Sequence, residues 1–138
     1  LGILEISETT AHASVDIRYP VTKDYQWIFE TAAKAAAAFG LETTIPNRVD
    51  PLYIPEDQPL IQRLKEAYES ATGEPCVLYS TGGGTYARHT NNRAVGFGPE
   101  FPGTIDNHAH NCNEQISLEN FFTHAQICLE AMYLLFTK

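Results

Sequence analysis

Hydrophobic and polar positions recur with two different periods along this chain. Residues 1–7 (LGILEIS) and 13–19 (ASVDIRY) carry the two-residue period of strands; in the second, Val15 and Ile17 alternate with Ser14, Asp16 and Arg18. Pro20 closes that strand. Thr22 is placed to cap a helix in which Ile28, Ala32, Ala35 and Phe39 repeat at helical spacing, and Gly40 supplies its stop. LETTI (41–45) reads as a further strand bounded by Pro46. The order strand, strand, helix, strand predicts a small α/β layer with an antiparallel sheet.

The stretch 47–59 holds three prolines and no sustained period, which predicts a linker. Asp57 then reads as an N-cap with Pro59 in the first turn, ahead of an apolar stripe of Leu60, Ile61, Leu64, Ala67, Tyr68 and Ala71 that ends at Gly73. CVLYS (76–80) has the composition of a short buried strand, and AVGF (94–97) is a weaker candidate. The residues leading to Glu114 read as loop. Ser117 caps the strongest helix pattern in the chain, with a stripe of Leu118, Phe121, Phe122, Ala125, Cys128, Leu129, Met132, Leu135 and Phe136. This alternation predicts α/β packing with loops at strand ends available for a site.

Composition narrows the function classes. Of 138 residues, 43% are hydrophobic, which is globular and not disordered, and the formal net charge is −8. An acidic balance argues against nucleic acid as a partner, since phosphate binding needs clustered Lys and Arg. No apolar run reaches the roughly 20 residues that span a bilayer, so no membrane partner is expected. No leader pattern opens the chain. Cys76, Cys112 and Cys128 are odd in number and lack CxxC spacing, which fits reduced thiols and a cytoplasmic location. The chain starts at Leu1 inside a strand pattern, which suggests a piece of something longer.

Three stretches could carry chemistry. In STGGGTYAR (80–88) the three glycines permit close backbone approach, so that N–H groups could cradle an anion. No Lys follows them and the spacing is not GxGxxG, so neither nucleotide-binding loop applies; a plain tight turn is the competing account. NHAHNCNE (107–114) packs two His, one Cys and one Glu into eight residues, all of them zinc-ligand types. One loop rarely supplies a whole site, and solvated loop histidines explain the same residues. Arg18 shares a strand face with Asp16: it is either an exposed ion pair or a guanidinium fork for a carboxylate ligand.

Taken together, three segments resemble a known family. VDIRYP (15–20), the run from DPLYIPEDQP (50–59) into STGGGTYAR, and FGPEFPGTIDNHAHNCNE (97–114) followed by a long helix are similar to bacterial dipeptidases of the PepV and Xaa-His type. These sit within the co-catalytic zinc metallopeptidase family that also holds aminoacylase, carnosinase and carboxypeptidase G. The resemblance implies the C-terminal part of a zinc-peptidase α/β catalytic domain (51–138) preceded by half of a ferredoxin-like α/β lid (1–50). It implies that Arg18 holds the free carboxylate of a dipeptide, with Gly82, Gly83, Gly84, Thr85 and Arg88 as further substrate contacts. His110, in an H-x-x-[N/D]-E arrangement with Glu114, becomes the last ligand of a two-zinc site, and His108 a neighbour. It also allows a homodimer.

The family's H-x-D ligands, its bridging Asp, its Glu-Glu pair with the general base and its lid histidine have no match here, and EE occurs nowhere in the chain. The leading expectation is therefore a dipeptidase fragment that supplies one metal ligand and part of a carboxylate pocket and is inactive alone. The alternative is a stand-alone, non-catalytic module that binds a carboxylated ligand on the same fold. A third reading is an unrelated small metalloprotein that uses His108 and His110.

Overall fold

The computed structural model describes residues 2–98, 101 and 107–137. Two strands and three α-helices order the chain: β1 (Ile3–Ile6), β2 (Ala11–Ser14), α1 (Tyr25–Ala37), α2 (Pro59–Thr72) and α3 (Leu118–Thr137), with a 3-10 turn at Tyr86–His89. They belong to two compact units, one of Leu1–Leu52 with Thr81–Gly84 and the other of Tyr53–Ser80 with Thr85–Lys138. The result is a small mixed α/β structure. Among the described residues no helix is long and apolar enough to cross a membrane.

In the first unit β1 and β2 form an antiparallel hairpin with Ile3 opposite Ser14 and Ile6 opposite Ala11. Its turn is tied by Ser7, whose Oγ accepts from the Thr10 and Thr9 amides at 3.0 and 3.3 Å. The second strand lies earlier than the alternation of 13–19 predicts. The reason is the partner: Gly2 N–H reaches the Ser14 carbonyl at 2.8 Å, and among the described residues Val15 onward has no strand beside it. The strand expected at 41–45 is likewise absent, since the only described sheet has two strands.

Helix α1 starts two residues later than Thr22 would place it. Asp24 is the cap, its carboxylate accepting from the Gln26 amide at 3.0 Å. At the other end Gly40 adopts φ 71°, Leu41 N–H donates to Ala36 O and Gly40 N–H to Ala37 O, which is the two-bond glycine stop. None of the residues of α1 is buried.

In the second unit, α2 is capped at Gln58 and not at the expected Asp57; Pro59 opens it, where a missing N–H costs nothing, and Gly73 at φ 73° ends it. Ile61, Leu64 and Ala67 of its apolar stripe are buried. Ser117 caps α3 as expected, its Oγ accepting from the Asn120 amide at 3.1 Å. The buried face of α3, however, is Ile127, Ala131 and Leu134, and not the stripe from Leu118 to Phe136 that the periodicity singles out. Leu64, Ala67, Ala131 and Leu134 form the core, with Leu60, Val95 and Phe97 packed against it.

CVLYS and AVGF form no strands. Val77 and Tyr79 are exposed, whereas Val95 and Phe97 contribute apolar side chains to the helix pair from extended chain. The second unit is thus a helix pair with irregular cover, where strands alternating with helices were expected. A short apolar run becomes a strand only beside a hydrogen-bonding neighbour, and none is present among the described residues.

Candidate functional site

Arg18 is the best-positioned of the expected site residues. Its Nε and Nη2 donate to Asp16 Oδ2 at 3.3 and 3.2 Å, and its Nη1 donates to the Gly82 carbonyl at 2.8 Å. The pair is solvent-exposed, so its contribution to stability is small. Its consequence is geometric. A guanidinium has five N–H donors in a fixed plane. Three are engaged here, which fixes the plane and leaves two for a further acceptor.

Gly82 lies against the aliphatic stem of Arg18: a Cβ there would stand 3.6 Å from Arg18 Cδ. Gly83 N–H donates to Thr81 Oγ1 at 3.1 Å, closing a small turn at the start of the triplet. The structure thus brings Arg18, Gly82 and Gly83 together in the first unit, along with Gly84 next in sequence. Asp16, noted from the sequence only as a face-mate, proves to be the brace of the arginine.

Thr85 and Arg88 belong to the second unit. Thr85 precedes the 3-10 turn, and its side chain packs so closely on Gly96 that a Cβ there would meet Thr85 Cγ2 at 3.3 Å. Arg88 N–H donates to the Thr85 carbonyl at 3.3 Å. These contacts give both residues roles in shaping a loop.

His110 sits in an exposed loop of unusual backbone. His108, His110 and Asn113 have φ of 54°, 65° and 62°, a left-handed region that asparagine enters readily but that costs each histidine about 1–2 kcal/mol. The loop is closed by Gln115 N–H to Asn107 O at 3.0 Å and by Asn111 N–H to His108 O at 2.9 Å. Part of the third family-like segment, residues 99, 100 and 102–106, lies outside the described residues. Among the described residues no three His, Cys, Asp or Glu side chains stand close enough to hold a metal ion. Zinc sites need three or four protein ligands, so the residues described here do not fit a complete zinc site by themselves.

Two features escape the sequence patterns. Arg48 donates to Asp50 Oδ1 from Nη2 at 2.6 Å and lies 4.0 Å over the Tyr25 ring. Its pKa is raised above the ordinary arginine value, chiefly by that Asp50 hydrogen bond. In α3, His124 Nε2 is buried without a hydrogen-bond partner among the described residues. Neither the R-V-D spacing nor a lone helical His signals these arrangements, because both depend on what folds against them. The three cysteines are free thiols.

The chain is similar to proteins named putative dipeptidases. One from Bacillus subtilis is 36% identical over 119 residues, which is 86% of this chain. One from Staphylococcus haemolyticus is 31% identical over the same share, and one from Staphylococcus aureus 30% identical over 92% of the chain. The match covers only 25–27% of those relatives, so the chain spans about a quarter of their length. No protein-family model matches the chain. No solved structure matches it either.

Proposed function

We propose that this chain forms part of a dipeptidase and that Arg18 reads the free carboxylate of the substrate. The single observation that supports the reading most is the braced guanidinium: Asp16 and the Gly82 carbonyl hold its plane while two donors remain. An enzyme that acts at the end of a peptide must recognise where the chain stops, and a planar guanidinium fork with two donors to spare does so. The similarity to relatives named as putative dipeptidases favours the same class. In this reading residues 1–50 are half of a ferredoxin-like lid and 51–138 the closing segment of an α/β zinc-peptidase catalytic domain. His110 then contributes one ligand of a two-zinc site whose other ligands and general base are supplied by other residues.

The test uses the 138-residue chain and a dipeptide alongside its C-terminal amide, followed by NMR. The free acid should shift the Gly84 amide and the Arg18 Nη protons, with millimolar affinity on the order of −4 kcal/mol, and the amide should not. Arg18→Ala should abolish the shift. The chain with added zinc should show no hydrolysis. Equal binding of acid and amide would overturn the carboxylate role, and turnover lost on His110→Ala would overturn the placement of the base elsewhere. Micromolar binding without turnover would instead favour a stand-alone binding module.

A further inference from the structure

Helix α3 carries two apolar faces, and α2 covers only one of them. Ile127, Ala131 and Leu134 are buried on the α2 side. On the opposite side Leu118, Phe122, Ala125, Leu129, Met132 and Phe136 follow one another at intervals of four, three, four, three and four residues. That spacing keeps all six on a single straight strip, about 27 Å long at 1.5 Å per residue. All six are exposed: Leu118 is 74% exposed, Phe122 66%, Leu129 65%, Met132 52% and Phe136 87%. A helix that is apolar on opposite faces is an interior element, with a layer on each side.

We infer that the strip from Leu118 to Phe136 is the docking face for polypeptide corresponding to the part of the relatives that this chain does not span. Two observations select that occupant. The chain matches 86–92% of its own length but only 25–27% of the relatives, so most of each relative lies outside the match. The strip also runs without a charged residue, which fits an apolar layer of the same fold. A membrane surface is disfavoured, because interfacial helices carry Lys and Arg on their polar face, whereas α3 has Glu119 and Glu130 and no Lys or Arg from Leu118 to Thr137. A second copy is disfavoured by the repulsion of two chains of net charge −8. The inference rests on the reading of this chain as part of a dipeptidase.

Met132 is the only methionine of the chain and lies within the strip, so its oxidation by peroxide reports directly on cover. In the chain alone, oxidation should be fast and independent of chain concentration. Fused to the remainder of the Bacillus subtilis relative, in that protein's order, Met132 should oxidise at about a tenth of the free chain's rate or below. An unchanged rate in the folded fusion overturns the inference. A rate that falls as the free chain is concentrated assigns the strip to a second copy and overturns it equally. Should the fusion not fold, co-expression decides: the remainder should co-purify with the tagged native chain and not with Leu129→Asp, and failure with the native chain sinks the proposal. Dipeptide hydrolysis is assayed on the same fusion. Protection without hydrolysis removes the dipeptidase reading and leaves the docking face; hydrolysis without protection does the reverse.

Discussion

The two compact units are held together by different physics. Every buried hydrophobic residue among those described, from Ile61 to Leu134, lies in the unit that carries α2 and α3. The unit of the hairpin and α1 buries none, and Trp27, Ile3 and Ile6 all stand open to solvent. It is ordered by short-range hydrogen bonds: the Ser7 turn, the Asp24 cap and the glycine stop at Gly40. Side-chain packing therefore sets the stability of one unit, and backbone termination chemistry that of the other.

The largest expected effect tests the packed unit. Ile127 is fully buried, and Ile127→Ala should cost about 2–5 kcal/mol through lost transfer energy and a residual cavity. Trp27→Ala in α1 removes an exposed ring whose recorded partner is Lys23, with Nζ 5.6 Å from its centroid, and should cost no more than about 1 kcal/mol. Urea unfolding followed by circular dichroism measures both. Equal costs would erase the contrast.

Asp24→Ala tests the other unit and should cost about 1 kcal/mol, read as lost helicity in α1. No change in helicity would mean that something other than the cap orders this helix.

The smallest effect concerns Cys76. Burial, and then the Glu69 carboxylate that also accepts the Cys76 N–H at 3.0 Å, raises its thiol pKa above the ordinary value. The folded chain thus holds the proton more tightly than the unfolded one. The associated stability is complete below the ordinary thiol range of about 8.5 and is lost as pH rises through the folded value. Cys76→Ser should flatten the alkaline loss of stability, and iodoacetamide at mildly alkaline pH should label Cys76 more slowly than exposed Cys112. Faster labelling of Cys76 would contradict the shift.

What the sequence shows and what it hides follow the same division. Helix α2 is legible because its signals are local: Pro59 at the first turn, Gly73 at the stop and Ile61, Leu64 and Ala67 on one stripe. The Ser117 cap and the Gly40 stop are legible for the same reason. CVLYS, LETTI and the second half of ASVDIRY are not, since a strand is defined by a neighbour that no local pattern contains. Helix α3 misleads in another way. Both faces are apolar, and the aromatic stripe from Phe121 to Phe136 outweighs Ile127, Ala131 and Leu134 in the pattern although α2 covers the smaller residues. At the candidate site Arg18 is recognisable by type, but its bond to Gly82 joins residues 64 apart and leaves no trace in local spacing.

That separation also has a consequence in time. The hairpin closes over four residues between its strands, and each helix over single turns, events that take microseconds or less. The Arg18–Gly82 bond must wait for a loop of 64 residues, whose entropy is spent before any contact is made. An exposed bond of modest strength closing so long a loop should form late and open early. On warming, the Arg18–Gly82 contact should therefore be lost ahead of any change in helix content, a difference that Arg18 side-chain resonances followed beside circular dichroism would read.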